Sequence, residues 1–296
     1  MSVGLITNVY ERTYRAVLQP GYVQGIVDSQ RRTLDEVVVL VNNVADQADA
    51  RERAEALVRS GELSGYAFVS DHLEAALRAK RISRRSLGKR PYLVDFGLVM
   101  PHVLRTRWLL GWDAETRLVD PQNWIDPGLE LLRADSRVLH VSLNRPPRTS
   151  FEPVIEREAV TRVGDFILTH GFSDHVFLID RERLIRAPFR SLAPAAVVRH
   201  APHPYTFEYR MESYQRAARL FRAVNPTIKY DTNTDPPGVL LRTGGRSWDD
   251  VRIQALWQFG WTVLDRLPEG AGPRFKRYPH GWPRKNHGGE PATSAH

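Results

Sequence analysis

Residues 3–7 read Val-Gly-Leu-Ile-Thr and residues 36–43 read Glu-Val-Val-Val-Leu-Val-Asn-Asn. Each stretch is a short apolar run, rich in β-branched side chains, that ends in polar residues, as buried parallel strands do. Residues 19–34 between them carry apolar side chains at helical spacing, and Pro20 suits the first turn of a helix. A strand, a helix and a second strand in this order form one βαβ unit and predict an α/β fold.

The alternation of strands and helices continues along the chain. Further strands are predicted at 66–69, 108–112, 137–143, 166–169 and 197–200. Further helices are predicted at 46–60, 71–80, 95–107, 127–134, about 175–184, 208–223 and 247–266. We therefore expect a Rossmann-like mixed, mainly parallel sheet flanked by helices, with a helical C-terminal portion. The Pro-, Gly- and His-rich residues 277–296 are expected to form a frayed tail.

The composition excludes several classes of function. The chain has 296 residues, of which 42% are hydrophobic and 26% charged, which is ordinary for a soluble globular protein. It contains no cysteine, which excludes disulfide frameworks, thiolate metal sites and cysteine nucleophiles. No run approaches the roughly 18 apolar residues that a membrane span needs. A cytoplasmic protein without a membrane span is expected, and the oligomeric state stays open.

The residues that follow the predicted strands carry the candidate chemistry, because ligands of open parallel sheets bind beyond the carboxyl ends of the strands. Neither a Gly-x-Gly-x-x-Gly sequence nor a Walker A motif is present, which argues against dinucleotide redox chemistry and P-loop phosphoryl transfer. Asp113 and Glu115 directly follow the apolar strand at 108–112. At this spacing both carboxylates can face one Mg²⁺ or Mn²⁺ ion. The alternative interpretation is a solvated acidic turn.

The chain carries TNVYER at 7–12, Asn42-Asn43, VDFGL at 94–98 and DAE at 113–115, in this order. The order resembles that of the motifs of the family-2-like nucleotide-sugar glycosyltransferases of the type A fold over residues 1–203. Residues 7–12 (TNVYER) are similar to the family's Thr-Pro-x-Tyr-Asn-Arg element, and Asn42-Asn43 stand where it has an acidic or amide pair. Residues 94–98 (VDFGL) replace its Arg-Asn-x-Gly-Leu element, and residues 113–115 (DAE) replace its Asp-x-Asp motif. The resemblance implies that the nucleotide sugar is bound by Thr7, Asn8, Tyr10, Glu11, Arg12, Asn42, Asn43, Asp95, Gly97, Asp113 and Ala114.

The resemblance also implies roles on the acceptor side. The family places an acidic catalytic base at the start of a helix, and Asp174 in Gly171-Phe172-Ser173-Asp174-His175 matches it; a helix N-cap is the competing interpretation. Some members complete the metal site with a later histidine, so the implied metal ligands are Asp113, Glu115 and His200. The implied substrate-binding residues are Trp112, Trp124, Phe172, Ser173 and His203.

The activity that the resemblance implies is a metal-dependent, inverting sugar transfer with Mn²⁺ or Mg²⁺ as cofactor. The donor would be a nucleoside diphosphate sugar such as UDP-glucose or UDP-N-acetylglucosamine. The acceptor would be a small molecule or a carrier-bound group, as in natural-product or surface-glycan biosynthesis. Residues 1–203 would form the catalytic domain and residues 204–276 a helical extension completing the acceptor side. The alternatives are a nucleotidyltransferase and a non-catalytic glycosyltransferase-like binding module.

The net charge of +8 favours phosphate-bearing or acidic partners. Residues 78–90 contain seven basic residues and no acidic residue. This segment is a solvated surface, a contact for the donor diphosphate, or a docking site for an acidic carrier protein that presents the acceptor. No nucleic-acid-binding motif is present and aromatic residues do not interleave with the basic ones, so no nucleic-acid partner is expected.

Overall fold

The computed structural model describes residues 1–88, 90–146, 155–191, 193, 196, 200 and 206–232. The strands in these residues are β1 (Val3–Val9), β2 (Glu36–Val41), β3 (Gly65–Phe68), β4 (Trp108–Asp113), β5 (Thr116–Leu118), β6 (Val138–Asn144), β7 (Thr161–Val163), β8 (Phe166–Thr169), β9 (Val176–Asp180) and β10 (Phe221–Thr232). The helices are α1 (Tyr14–Val17), α2 (Tyr22–Ser29), α3 (Gln47–Arg59), α4 (Val69–Lys80), α5 (Asp95–Val103), α6 (Ile125–Ala134), α7 (Arg181–Arg186) and α8 (Phe207–Ala217).

The strands form one mixed sheet in the order β3-β2-β1-β4-β9-β6-β10-β8-β7, with β5 paired to β10. Strands β3, β2, β1 and β4 are parallel to one another, and β6 is parallel to β10. Strand β9 is antiparallel to both of its neighbours, β4 and β6. The predicted α/β class with a mixed, mainly parallel sheet is confirmed.

Both faces of the sheet are covered, as the continuous apolar runs of β1 and β2 require. Successive side chains of a strand point to opposite faces. Leu5 accordingly packs in a core with residues of α2, α3 and α6, whereas Ile6 packs in a second core with residues of α4, α5 and α8. The carboxyl ends of the parallel strands are thereby held at one edge of a sheet that is buried on both faces.

Two predicted helices are corrected by the structure. The residues predicted as a helix at about 175–184 form β9 and then the short helix α7. Val176 to Ile179 are fully buried between β4 and β6, and this strand pairing decides their conformation. The helix predicted at 208–223 ends at Ala217, and Arg219 takes a φ of 56° before β10 begins.

The end of the predicted pattern changes as well. Residues 197–199 of the predicted strand at 197–200 lie outside the described residues, and the backbone N–H of His200 donates to the carbonyl of Ala196. Strand β10 pairs with β6 and β8, so the sheet continues past the expected domain boundary at residue 203. The predicted helix at 247–266 and the tail at 277–296 lie outside the described residues. Across the part of the chain that the structure covers, no helix has the length and apolarity needed to cross a bilayer.

Replacing Gly111 by Ala is expected to destabilise the sheet by about 1–3 kcal/mol, because it overpacks the core. Gly111 in β4 lies opposite Phe177 in β9, and a Cβ atom at Gly111 would overlap the Phe177 ring. Gly65→Ala in β3 is the matched control, because a Cβ atom there meets nothing within 4 Å. Urea unfolding of both variants measures the difference, and equal free energies of unfolding would contradict the packing role.

Candidate active site

The candidate site lies at the edge of the sheet where β1, β2 and β4 end and β9 begins. Asn8 near the end of β1 is in register with Asp113 at the end of β4. Trp112 in β4 is in register with Val176, the first residue of β9. Because β9 is antiparallel to β4, the residues just before Val176 meet the residues just after Trp112. Two segments that are about 60 residues apart in sequence are thus brought together at this edge.

The turn of residues 113–115 is fixed by its neighbours on several sides. The backbone N–H of Glu115 donates to Oδ1 of Asp113 at 3.1 Å, and Nδ1 of His175 lies 2.8 Å from Oδ2. The hydroxyl of Tyr22 donates to the carbonyl of Ala114 at 2.9 Å. The hydroxyl of Tyr10 donates to Oε2 of Glu115 at 3.5 Å. Both carboxylates of the turn therefore lie at the edge where β1 and β4 end and β9 begins.

Carboxylates are crowded around the start of β9. The backbone N–H of Asp174 donates to Oε1 of Glu208, in the first turn of α8, at 3.2 Å. Burial and the nearby charge of Glu208 raise the pKa of Asp174 well above its usual range. Burial opposes the charged form of His175, but its hydrogen bond to Asp113 and the surrounding carboxylates outweigh burial and raise the pKa of His175 to about 9. His175 thus lies among three carboxyl groups, those of Asp113, Asp174 and Glu208.

The same crowding affects the turn itself. Burial, followed by the charge of Asp113, raises the pKa of Glu115. Burial, with the charges of Glu115 and Asp113, raises the pKa of Tyr10 to about 12, so its phenol stays protonated at neutral pH. The negative potential of this edge would stabilise a bound cation or a cationic transition state.

A second pair of predicted residues meets at the end of β2. Nδ2 of Asn42 donates to Oδ1 of Asp95, at the start of α5, at 2.9 Å and to the carbonyl of Tyr92 at 3.3 Å. Asn42 and Asp95 are only 5% and 6% exposed, and burial raises the pKa of the Asp95 carboxyl to about 6. The Asn42–Asp95 hydrogen bond therefore joins the end of β2 to the start of α5.

Other predicted nucleotide-binding residues line the same edge. Thr7 is fully buried, and its Oγ1, like Oδ1 of Asn8, has no hydrogen-bond partner among the described residues. Glu11 accepts a hydrogen bond from the backbone N–H of Ala45 at 2.7 Å, which ties the loop after β1 to the loop after β2. Arg12 and Asn43 are exposed in those two loops.

Several predicted residues are core residues. Trp112 and Trp124 are 1% exposed, and their indole N–H groups donate to the carbonyl of Thr116 and to Oε1 of Gln30. Their ring faces are therefore enclosed by protein. Phe172 packs on His140, Phe177 and Phe207. The structure buries Ser173 beside the hydroxyl of Tyr230. Gly97 in α5 leaves room for the Phe207 ring of α8, which explains the glycine by packing.

The histidine on Asp113 is His175 and not His200. Nε2 of His200 lies 2.9 Å from Oε2 of Glu212, whose Oε1 accepts from Nε of Arg216, and the His200 ring lies beside Tyr209. Within the residues that the structure covers, no three His, Asp or Glu side chains form a group that could hold a metal ion. The predicted substrate contact His203 lies outside the described residues.

The predicted setting of Asp174 is also corrected. Asp174 precedes the strand β9 and no helix begins there, so neither the helix-start motif nor an N-cap describes it. The acidic residue at a helix start is Glu208, in the first turn of α8, whose N-cap Thr206 accepts from the N–H of Tyr209. The sequence Thr206-Phe207-Glu208 ahead of an amphipathic stretch is the signal that could have identified it. The only feature of the sequence that could have pointed to His175 as a site residue is its position next to Asp174.

No protein-family model matches the chain, and no curated protein sequence matches it. Solved structures to which it is similar include GalNAc-T7 with UDP, GalNAc and Mn²⁺ (TM-score 0.49, 12% identity, covering 94% of this chain and 54% of that one). Mannosyltransferase PcManGT from Pyrobaculum calidifontis with GDP-Man and Mn²⁺ gives a TM-score of 0.48 at 17% identity, covering 94% of this chain and 68% of that one. Mouse xyloside xylosyltransferase 1 gives a TM-score of 0.41 at 18% identity, covering 74% of this chain and 84% of that one. The chain spans about half the length of GalNAc-T7.

Replacing Asp95 by Asn is expected to stabilise the protein at pH 7 by up to about 3 kcal/mol. The folded-state pKa of Asp95 is raised from 3.8 to about 6, so the stability of the wild type falls as pH rises from about 4 through 6. Asparagine keeps an oxygen for the Asn42 bond and cannot ionise.

The exposed Asp120 provides the control, since Asp120→Asn should leave the pH dependence of stability unchanged. Urea unfolding from pH 4 to pH 8 measures the effect. If Asp95→Asn loses as much stability between pH 4 and pH 8 as the wild type does, the raised pKa of Asp95 is contradicted.

Proposed function

We propose that this chain is a glycosyltransferase that moves a sugar from a nucleoside diphosphate sugar to an acceptor hydroxyl or amine with inversion. The observation that carries the proposal is the convergence of the acidic turn after β4 with Asp174 and Glu208 at the carboxyl edge of the parallel strands. Asp113 and Glu115 are suited to hold a cation that binds the donor diphosphate. Asp174 and Glu208 are suited to take the proton of the acceptor. The order of the sequence motifs, which resembles that of the family-2-like nucleotide-sugar glycosyltransferases, supports the proposal.

The donor side of the proposal uses the ends of β1 and β2. Oγ1 of Thr7 and Oδ1 of Asn8 are buried polar atoms without a partner among the described residues, and such atoms are stabilised when a ligand bonds to them. The Asn42–Asp95 pair supplies amide and carboxyl oxygens for a base or ribose. We place the nucleoside across these four side chains, with UDP-glucose or UDP-N-acetylglucosamine as the first donors to test.

The residues present fit a hard divalent cation such as Mn²⁺ or Mg²⁺. Asp113 and Glu115 offer carboxylate oxygens, which these ions prefer, and their mutual repulsion is relieved by a positive charge. The two side chains would hold the ion, and donor phosphate oxygens would complete its coordination. When bound, the ion would neutralise charge on the leaving nucleoside diphosphate. His200 bonds to Glu212 instead, and the proposal does not use it as a ligand.

The acceptor side of the proposal uses Asp174 and Glu208 as one unit. The two carboxyl groups share a side-chain hydrogen bond, and burial and the charge of Glu208 raise the pKa of Asp174. We propose that the ionised member of the pair is the base. The acceptor oxygen or nitrogen bonds to the anomeric carbon, the bond from that carbon to the diphosphate oxygen breaks, and the ionised carboxylate takes the acceptor proton. The reaction is one displacement without a covalent enzyme intermediate, which inverts the anomeric centre.

The role of His175 follows from its position between the two carboxylate sets. Its imidazolium bonds to Asp113 and acts electrostatically on Asp174 and Glu208. It orients the turn of residues 113–115 and offsets part of the negative charge when substrate is absent. We therefore assign His175 a positioning role.

Removing the Asp113 carboxylate is expected to abolish metal-dependent donor binding. Isothermal titration of UDP and of a panel of nucleotide sugars, with and without Mn²⁺, should give an affinity at least about tenfold weaker for Asp113→Asn than for the wild type. Asp120→Asn is the exposed control with the same loss of charge. Binding of no nucleotide sugar by the wild type, or equal binding by Asp113→Asn, would refute the proposal.

Neutralising either member of the Asp174–Glu208 pair is expected to lower kcat by about 10²–10⁴ while the affinity for UDP stays within about twofold. Because the two carboxyl groups act as a unit, the double variant Asp174→Asn/Glu208→Gln should be no slower than the slower single variant. Donor turnover with a chromatographic readout measures this. Multiplicative losses would show two independent roles, and unchanged turnover in both single variants would remove the pair from the mechanism.

A further inference from the structure

Exposed arginines occur in the last turn of α4, on the segment that joins α4 to α5 and on the loop after α7. We call this surface the basic stripe; its members are Arg78, Arg81, Arg85, Arg90 and Arg190, all exposed. Arg190 bonds to the carbonyl of Arg81, which joins the two segments into one surface. The neighbouring acidic residue Glu74 forms an ion pair with Arg84 at 2.7 Å.

The backbone under the basic stripe is fixed by other cations. Nζ of Lys80 donates to the carbonyls of Leu184, Ile185 and Ala187 at 2.6–2.7 Å. The buried Arg210 of α8 donates to the carbonyls of Ser86 and Phe189. Side chains that cross from α4 and α8 therefore hold both segments in place, so that the exposed arginines project from an ordered surface.

Most of the stripe's charge is not neutralised within the protein. The guanidinium groups of Arg78, Arg81, Arg85 and Arg90 make no hydrogen bond or ion pair to any described residue. Like charges held close together on a fixed backbone repel one another, and a complementary anionic surface removes that repulsion. Arginine is the side chain that pairs with carboxylates in a bidentate manner.

We propose that the basic stripe docks an acidic protein surface. The stripe extends to the donor edge, because Arg90 is followed by Tyr92, whose carbonyl accepts from Asn42, and because the charge of Arg84 acts on Asp95. A partner seated on the stripe thus lies beside the candidate site. The docking itself does not depend on sugar transfer, so it is tested separately from the proposed function.

The surroundings of the stripe favour a protein over other polyanions. Nucleic acids are bound by arginines together with several exposed aromatic rings on which bases stack, whereas Tyr92 is the one large exposed ring among the residues that the structure describes. Membrane surfaces are bound by basic residues next to exposed apolar side chains that insert. Among the described residues the other large exposed apolar side chains are Met1, Val58 and Val119, which belong to other segments of the chain.

The test is binding of fluorescein-labelled poly-L-glutamate, followed by fluorescence anisotropy at low and physiological ionic strength. The triple variant Arg81→Gln/Arg85→Gln/Arg90→Gln is expected to bind about tenfold more weakly than the wild type. The control Arg31→Gln/Arg133→Gln/Arg162→Gln loses the same charge from exposed positions on other elements, and Arg31 matches the positive φ of Arg81. The control is expected to stay within about twofold of the wild type.

Equal weakening in the two triple variants would show a general effect of net charge and overturn the proposal. Tighter binding of oligo(dT), or of phosphatidylglycerol-containing vesicles, with loss in the stripe variant would assign the surface to another polyanion and also overturn it. Thermal unfolding of both variants shows that each is folded. UDP binding in the presence of Mn²⁺ should be unchanged in the stripe variant, so a failure of docking is distinguishable from a failure of the transferase proposal.

Discussion

The insertion of the antiparallel strand β9 between β4 and β6 is the constraint on which the candidate site depends. An antiparallel strand begins at the edge where its parallel neighbours end, so the two residues before β9 arrive beside the two residues that close β4. His175 can then bond to Asp113. The close approach of β4 and β9 requires Gly111, over which the Phe177 ring lies. Packing in the core and polar contacts at the edge are in this way parts of one arrangement.

The electrostatics of the site follow from how few cations the fold places there. Asp113, Asp174 and Glu208 act on one histidine, and each carboxylate is partly withdrawn from water. Burial and the charge of Glu208 raise the pKa of Asp174, which is unfavourable in a protein that needs only stability. Perturbed groups of this kind in a crevice are characteristic of sites that bind cations or move protons.

Cations in this protein serve two different physical purposes. Lys80 and Arg210 are drawn into the structure, where they satisfy backbone carbonyls at the ends of turns and hold loops that carry no regular hydrogen bonding. Four of the five exposed arginines of the basic stripe, Arg78, Arg81, Arg85 and Arg90, have no such partners among the described residues. The positive charge of the chain therefore has two roles. Some cationic side chains stabilise the fold, and others are exposed to solvent next to the donor edge.

The sequence by itself determined the α/β class, the βαβ start of the sheet and the acidic turn after β4, because these depend on local runs of apolar residues and the polar residues that end them. The resemblance to the glycosyltransferases also put Asn42, at the end of a predicted strand, and Asp95, at the start of a predicted helix, in one nucleotide-binding set. Only the tertiary structure decided that the residues after Asp174 form a strand, since the run Val-Phe-Leu-Ile is compatible with either conformation until it pairs with β4 and β6. The partnership of Glu208 with Asp174 and the burial of Trp124 were decided there too, because contacts between residues far apart in sequence depend on how helices and strands pack and leave no periodic signal in the chain.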